Sequence, residues 1–155
     1  MTALIVPATI DHALDLAPRL RALDLAEIEA ASGRPAAEVL AESVERAVWS
    51  EALMVDGQAE AIGGLGTCSM MFGPGIPWMV ASDRATQHRR WFLRESRRQV
   101  GRMLASYDRL MNHVDARNGP AIRYLRWLGF TLAPAAPWGN AGLPFHPFTM
   151  ERSLV

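Results

Sequence analysis

The sequence predicts an α/β fold of the α+β kind: a mixed, mostly antiparallel sheet with helices on both faces. Three observations predict it. Two short apolar runs flank Asp56-Gly57, a turn pair that joins the strands of a β-hairpin. A long segment, Thr86 to Tyr107, is amphipathic, with Phe92, Ser96, Val100, Met103 and Tyr107 recurring at three- and four-residue steps between strand-like runs. In "ARNGPAIRYLRWLGF", Ala116 to Phe130, an Asn-Gly-Pro turn opens a short helix and Gly-Phe ends it.

In chain order, "ALIVPA" reads as the first strand. Thr9 or Asp11 caps a helix to about Leu20, with Pro18 near its end. "DLAEIEAAS" predicts a short helix stopped by Gly33, and Pro35 opens a third helix to about Ala47 with an apolar face of Ala36, Leu40, Ser43, Val44 and Ala47. The hairpin occupies "EALMVDGQAEAIGGLGTCS"; Gly63, Gly64 and Gly66 mark a bulge or a close backbone approach in its second strand. "MFGPGIP" is a turn, and "WMVAS", Trp78 to Ser82, a short buried strand. After the long helix, "RLMNHVDA" alternates as a strand, and the short helix follows. The Pro/Gly/Ala-rich "PAAPWGNAGLPF" reads as an irregular loop whose Trp138 either anchors a partner or folds back on the core. "PFHPFTMERS" is an edge strand, because two prolines do not fit a central ladder.

The 155 residues fit one domain, 1–155, with enough chain to bury a core without disulfides or metal. No apolar run reaches the roughly 18 residues of a membrane span. No basic residue precedes the first apolar run and Pro7 cuts it short, so a signal peptide is not expected. Cys68 is the sole cysteine, read as buried packing on the third strand; an internal disulfide and a zinc cluster are excluded. His12, His88, His113 and His146 have no metal-ligand spacing. The formal charge is zero but divided: residues 1–60 hold 11 acids and 4 arginines, and residues 61–155 hold 5 acids and 12 arginines. The segment Arg84 to Arg102 carries seven arginines against Glu95, either a solvated basic face or a surface for DNA, RNA or anionic lipid.

Asn118, Ala121, Ile122, Leu128, Gly129 and Phe130, after a strand, a long helix and a strand, resemble the second half of the GNAT acetyltransferase fold. "VDGQAEAIGG" is similar to that family's central hairpin. "AIGG", "WMVASD", the basic helix and "N-x-x-x-I-R-x-L-x-x-x-G" look like the GNAT-like internal virion protein A family of short-tailed phages. The resemblance covers roughly Leu53 to Leu132 and, loosely, the final strand. It implies a place in a virion or a bacterial host cytoplasm, other virion proteins as partners, oligomers, DNA contact through the Arg-rich helix, and a role in assembly or genome ejection.

The resemblance also implies where an acetyl-CoA would sit: against Met79, Val80 and Ala81, beside Asn118 and Ala121, its phosphates near Arg84, Arg89 and Arg90. Three of the family's parts depart. The loop that grips pyrophosphate with glycine-freed amides is here "SDRATQHRR", without glycine. The family's proton-donating Tyr stands seven residues after the Asn, where this chain has Leu125; Tyr124 comes one residue earlier, about 100° round the helix, and is expected to point elsewhere. For a general base, Glu60 before the third strand, Asp83 and Asp115 are candidates, each also readable as a turn or surface residue. Tyr124 and Glu60 are thus the catalytic candidates. The expectation is a scaffold with a degenerate site and no cofactor; the alternative is an acetyl-CoA-dependent N-acetyltransferase with an atypical phosphate loop.

Overall fold

The structure, a computed structural model, describes residues 2–68 and 73–153. β1 (Ala3–Pro7) leads into α1 (Ile10–Leu16), α2 (Ala22–Ser32) and α3 (Ala36–Arg46). β2 (Trp49–Val55), β3 (Gln58–Thr67) and β4 (Gly75–Ala81) follow, then α4 (Arg89–Ser106), β5 (Arg109–Asp115) and α5 (Gly119–Leu128). β6 (Thr131–Leu132), β7 (Ala136–Trp138) and β8 (Leu143–Glu151) come last. The strand order is β1-β2-β3-β4-β5-β8-β6, with β7 also on β8. Among the described residues every strand pair is antiparallel except β4–β5.

Helices cover both faces, as expected. On one, α1 and α3 bury Ala13, Leu16 and Leu40 against Ala52, Ile62 and Val80. On the other, Met103 of α4 and Leu125 of α5 pack with Leu65 and Val114, while Trp91 and Phe92 cover Leu53, Ala61 and Ala81. No helix among the described residues is long and apolar enough to cross a membrane.

Local chemistry sets the element ends. Thr9 Oγ1 accepts the His12 N–H at 3.2 Å and the Thr9 N–H donates to His12 Nδ1 at 3.1 Å, a reciprocal cap that opens α1. α1 stops at Leu16 rather than Leu20, because Pro18 lacks the N–H that would continue it; Ala17–Arg19 tighten into a 3-10 turn. Asp56 (φ 48°) and Gly57 (φ 82°) both lie in the left-handed region that a two-residue hairpin turn requires. Gly64 is a close approach: a Cβ there would lie 2.8 Å from the Trp49 carbonyl and 2.9 Å from the Trp78 indole.

Several expectations are corrected. The bulge lies in β3 but before its glycines: the register shifts opposite Leu53 and Met54, where Glu60 is the extra residue. β4 begins at Gly75, so the last three residues of the expected turn, Gly75 to Pro77, are strand; Met71 and Phe72 lie outside the described residues. The expected first turn of the long helix belongs to a 3-10 turn, Asp83–His88: neither Ser82 nor His88 supplies a side-chain cap, and the Thr86 hydroxyl donates back to the Asp83 carbonyl at 2.7 Å. β8 is not an edge, since it pairs with β5 on one side and β6 and β7 on the other. Its prolines fit because neighbouring strands are interrupted beside them: the Pro147 carbonyl meets Ala133 in the gap between β6 and β7, and that of Pro144 meets Ala116 beyond β5. The expected irregular loop supplies β7.

Candidate active site

β4 and β5 run parallel but touch at one register pair, Gly75 with Leu110, and then diverge. The Asn112 side chain spans the start of the gap, its Nδ2 donating to the Pro77 carbonyl at 2.8 Å. Antiparallel alternation turns the peptide groups of Pro77, Met79 and Ala81 to this same edge. Pro77 tolerates its missing N–H because no strand pairs there. The gap opens into a cleft of about 600 Å³.

Two carboxylates of α2 close the open end. Asp24 and Glu27 stand three residues apart and so share one helix face. Asp24 Oδ2 accepts the Ala81 N–H of β4 at 3.0 Å, and Glu27 Oε1 accepts the Asp115 N–H of β5 at 2.6 Å. The Arg21 N–H donates to the Ala81 carbonyl at 3.0 Å, and its guanidinium pairs with Asp24 at 3.0 Å. α2 therefore bridges the two splayed strands. Burial pushes the Glu27 carboxyl up to about 7; the Asp115 N–H opposes that rise, and the charges of Asp24 and Asp115 add to it. Asp115, read as a turn or surface acid, is buried; against the upward push of burial, its Arg117 partner at 2.7 Å holds its carboxyl below the ordinary range.

α5 supplies the facing wall. Asn118 is its N-cap and buried: its Oδ1 accepts the Ala121 N–H at 3.3 Å, and its Nδ2 donates to Asp24 Oδ1 at 3.3 Å. Gly129, at φ 105°, ends the helix in the left-handed cap that the sequence motif requires. Ala121, Tyr124, Leu125 and Leu128 all line the cleft. Tyr124 therefore does not point elsewhere. The cleft spans more of the helix than the ~100° between adjacent residues, so a one-residue displacement keeps the ring inside. Its hydroxyl donates to Met79 Sδ at 3.6 Å, and burial pushes it up to about 12.

The end of the cleft at which the resemblance implies phosphates is built differently from the sequence expectation of three clustered arginines. Arg84 turns to the β2–β3 hairpin, pairing with Asp56 at 2.9 Å and lying 3.6 Å from Glu60. Arg90 is exposed and outside the cleft lining, whereas Arg89 lines it. The intervening backbone is curled into the 3-10 turn, with the Ala85 N–H already donating to the Ser82 carbonyl at 3.3 Å. Met79, Val80 and Ala81 line the cleft, and the Ala81 peptide is engaged by Asp24 and Arg21. Further along α4, Arg98 pairs with Glu51 at 2.8 Å and Arg97 lies 4.0 Å over the Trp127 ring, which ties down part of the basic face.

Glu60 lies within β3, not before it, and outside the cleft lining. It is 1% exposed and anchors a polar knot, accepting from Arg19 at 2.8 Å and from the Ser82 hydroxyl. Cys68 is exposed just past β3, since the strand ends at Thr67. Trp138 folds back: its ring stacks on His113 at 4.1 Å and 8° and lies 5.1 Å from Phe145. Among the described residues no group of three or more potential ligands could hold a metal.

Asp24 and Glu27 are the site residues that sequence reasoning missed. Their spacing on one face of a short helix was legible, but nothing local says that this helix lies across a gap formed by residues 77–81 and 112–115.

No protein-family model matches the chain, and no curated protein matches it. Solved structures do. The ribosomal-protein-S18-alanine N-acetyltransferase from Escherichia coli matches at a TM-score of 0.67 and 17% identity, over 99% of this chain and 96% of its own. An acetyltransferase of the GNAT family from Streptococcus pneumoniae matches at 0.60 and 12%, over 97% and 100%. AAC(6')-Ib, solved in complex with ribostamycin and coenzyme A, matches at 0.69 and 13%, over 98% and 94%. The chain has the GNAT acetyltransferase fold. At these identities the likeness is one of fold, and activity must be argued from the site.

Proposed function

We propose that the protein is an acetyl-CoA-dependent N-acetyltransferase with an atypical phosphate end, in preference to a degenerate scaffold for virion assembly. The observation that carries this reading is a pair of proton-handling groups in one cleft: Glu27, raised to about 7, and Tyr124, raised to about 12. The structural neighbours named above support acetyl transfer at the level of fold.

The thioester arm of a coenzyme fits the gap, where the Met79 peptide faces an unpaired strand edge beside Ala121 and Tyr124. The diphosphate does not fit a glycine loop, because the turn lacks glycine and is internally hydrogen-bonded; Arg89 is the residue there that would hold phosphate. When bound, the thioester supplies an activated acyl carbon. Glu27, poised near neutrality, takes one proton from the acceptor ammonium and frees its lone pair. The nitrogen bonds the acyl carbon as the carbon–sulfur bond breaks. Tyr124, neutral at pH 7 and already donating to a sulfur, protonates the departing sulfur, and the second nitrogen proton restores its hydroxyl.

Acetyl-CoA binding by calorimetry and thiol release across an amine panel test the proposal. Expected are binding, turnover with at least one amine, and losses of about 10²–10⁴ in kcat for Glu27→Gln and Tyr124→Phe. Absence of acetyl-CoA binding at millimolar concentration overturns it.

A further inference from the structure

The α2 side of the cleft is aromatic and roofed. His113 and Trp138 stack nearly face to face, and Phe145, 1% exposed, meets the same indole at 5.1 Å. His113 lies two residues before Asp115 on β5, on the same face and about 7 Å back along the strand. The Asp115 N–H holds Glu27. The aromatic platform and the carboxylate both line the one cleft.

The roof is fixed. Beyond Trp138 the chain crosses to the end of α2, where the Asn140 and Ala141 N–H groups donate to the Ala31 and Ala30 carbonyls, both at 3.0 Å. Gly139 sits so close that a Cβ would lie 2.9 Å from Ala31 Cα. Ala31 and Ile28 continue the cleft face of α2 that carries Glu27. An extended peptide would have to displace this segment, whereas a compact ligand would not. Burial holds His113 below its ordinary value, so it is neutral at pH 7 and does not repel a cation. The carboxylates of Asp24 and Glu27 face the same space.

We propose that the acceptor is a small primary amine with a flat aromatic body, its ring on the Trp138–His113 platform and its nitrogen at Glu27. This rests on the acetyltransferase reading. Trp138 lines the cleft and is 38% exposed; stacking on the indole face that His113 does not cover selects for ring shape, and an alkylamine of equal apolar area gains only burial.

The test uses the full chain, with 2-phenylethylamine, hexylamine, spermidine and a peptide bearing N-terminal alanine as acceptors for acetyl-CoA. Phenylethylamine is expected to exceed hexylamine in kcat/KM by about tenfold, and spermidine and the peptide by more. Trp138→Ala should erase the advantage over hexylamine, and Trp138→Phe should retain it; their melting curves control for folding. Phenylethylamine should also bind the protein without donor, by calorimetry, and lose that binding in Trp138→Ala. Turnover of spermidine or the peptide without preference for phenylethylamine overturns the acceptor assignment and leaves acetyl transfer standing. No phenylethylamine binding at millimolar concentration overturns it whatever the turnover, and failure to bind acetyl-CoA sinks the reading beneath it.

Discussion

Burial lifts the Glu27 carboxyl to about 7 from 4.5, so it titrates in the neutral range. The folded state therefore holds a proton that the unfolded chain releases between those values. The stability this gives is fully present below about 4.5 and is lost as pH rises through about 7, a change of up to about 3 kcal/mol. Glu27→Gln keeps an oxygen for the Asp115 N–H and removes the charge. It should be about 1–3 kcal/mol more stable than the parent at pH 8 and no more stable at pH 4, as read from melting curves. In the parent, kcat/KM should climb through about pH 7, and the residual rate of the variant should lack that limb. An unchanged stability difference across pH would refute the buried charge. Little of this was visible in the sequence: Glu27 is one of several acids in an acidic first third, and its titration depends on burial and on Asp24, Asp115 and Asn118, the last two about ninety residues away.

Among the elements, those with local punctuation were legible. Asn118 and Gly129 bracket α5, and Asp56-Gly57 sets the hairpin register, because cap and turn chemistry acts within a few residues. β8 misled because the rule against proline in a central strand assumes continuous neighbours, and those of β8 are interrupted where its prolines fall. The entrance to α4 was half legible. The missing glycines were evident, but the tie of Arg84 to the hairpin was not. That tie separates two arginines that look equivalent in sequence. Arg89→Ala should weaken acetyl-CoA binding by about tenfold with little loss of stability. Arg84→Ala should leave binding unchanged and cost about 1–2 kcal/mol, because Asp56 and Glu60 lose a cation. Calorimetry and thermal melting of both variants separate the two roles, and an equal loss of binding in both would place phosphate at Arg84 as well.

At the scale of the molecule, the divided charge becomes a division of faces. The acidic helices α1–α3 cover one side of the sheet and the arginine-rich α4 the other, with Arg84–Asp56 and Arg98–Glu51 joining the two portions. The cleft itself belongs to no segment. It is assembled from α2, α3, β4, α4, β5, α5, β7 and β8, which is why its carboxylates stayed hidden while the fold could be read. A ligand that pairs with the gap should stabilise the whole. At about 100 times its Kd, acetyl-CoA should add about 2.7 kcal/mol and raise the melting temperature by roughly 5–10 °C in a scanning measurement. No rise at saturating ligand would mean that the gap is not the binding site. The Asn140 and Ala141 N–H groups that finish α2 impose an order on synthesis as well. Helix α2 emerges early from the ribosome, but two of its terminal carbonyls wait for partners more than a hundred residues downstream. A nascent chain halted before those two amides thus carries Glu27 on an unfinished helix, and the Trp138 side of the cleft is among the last features to form.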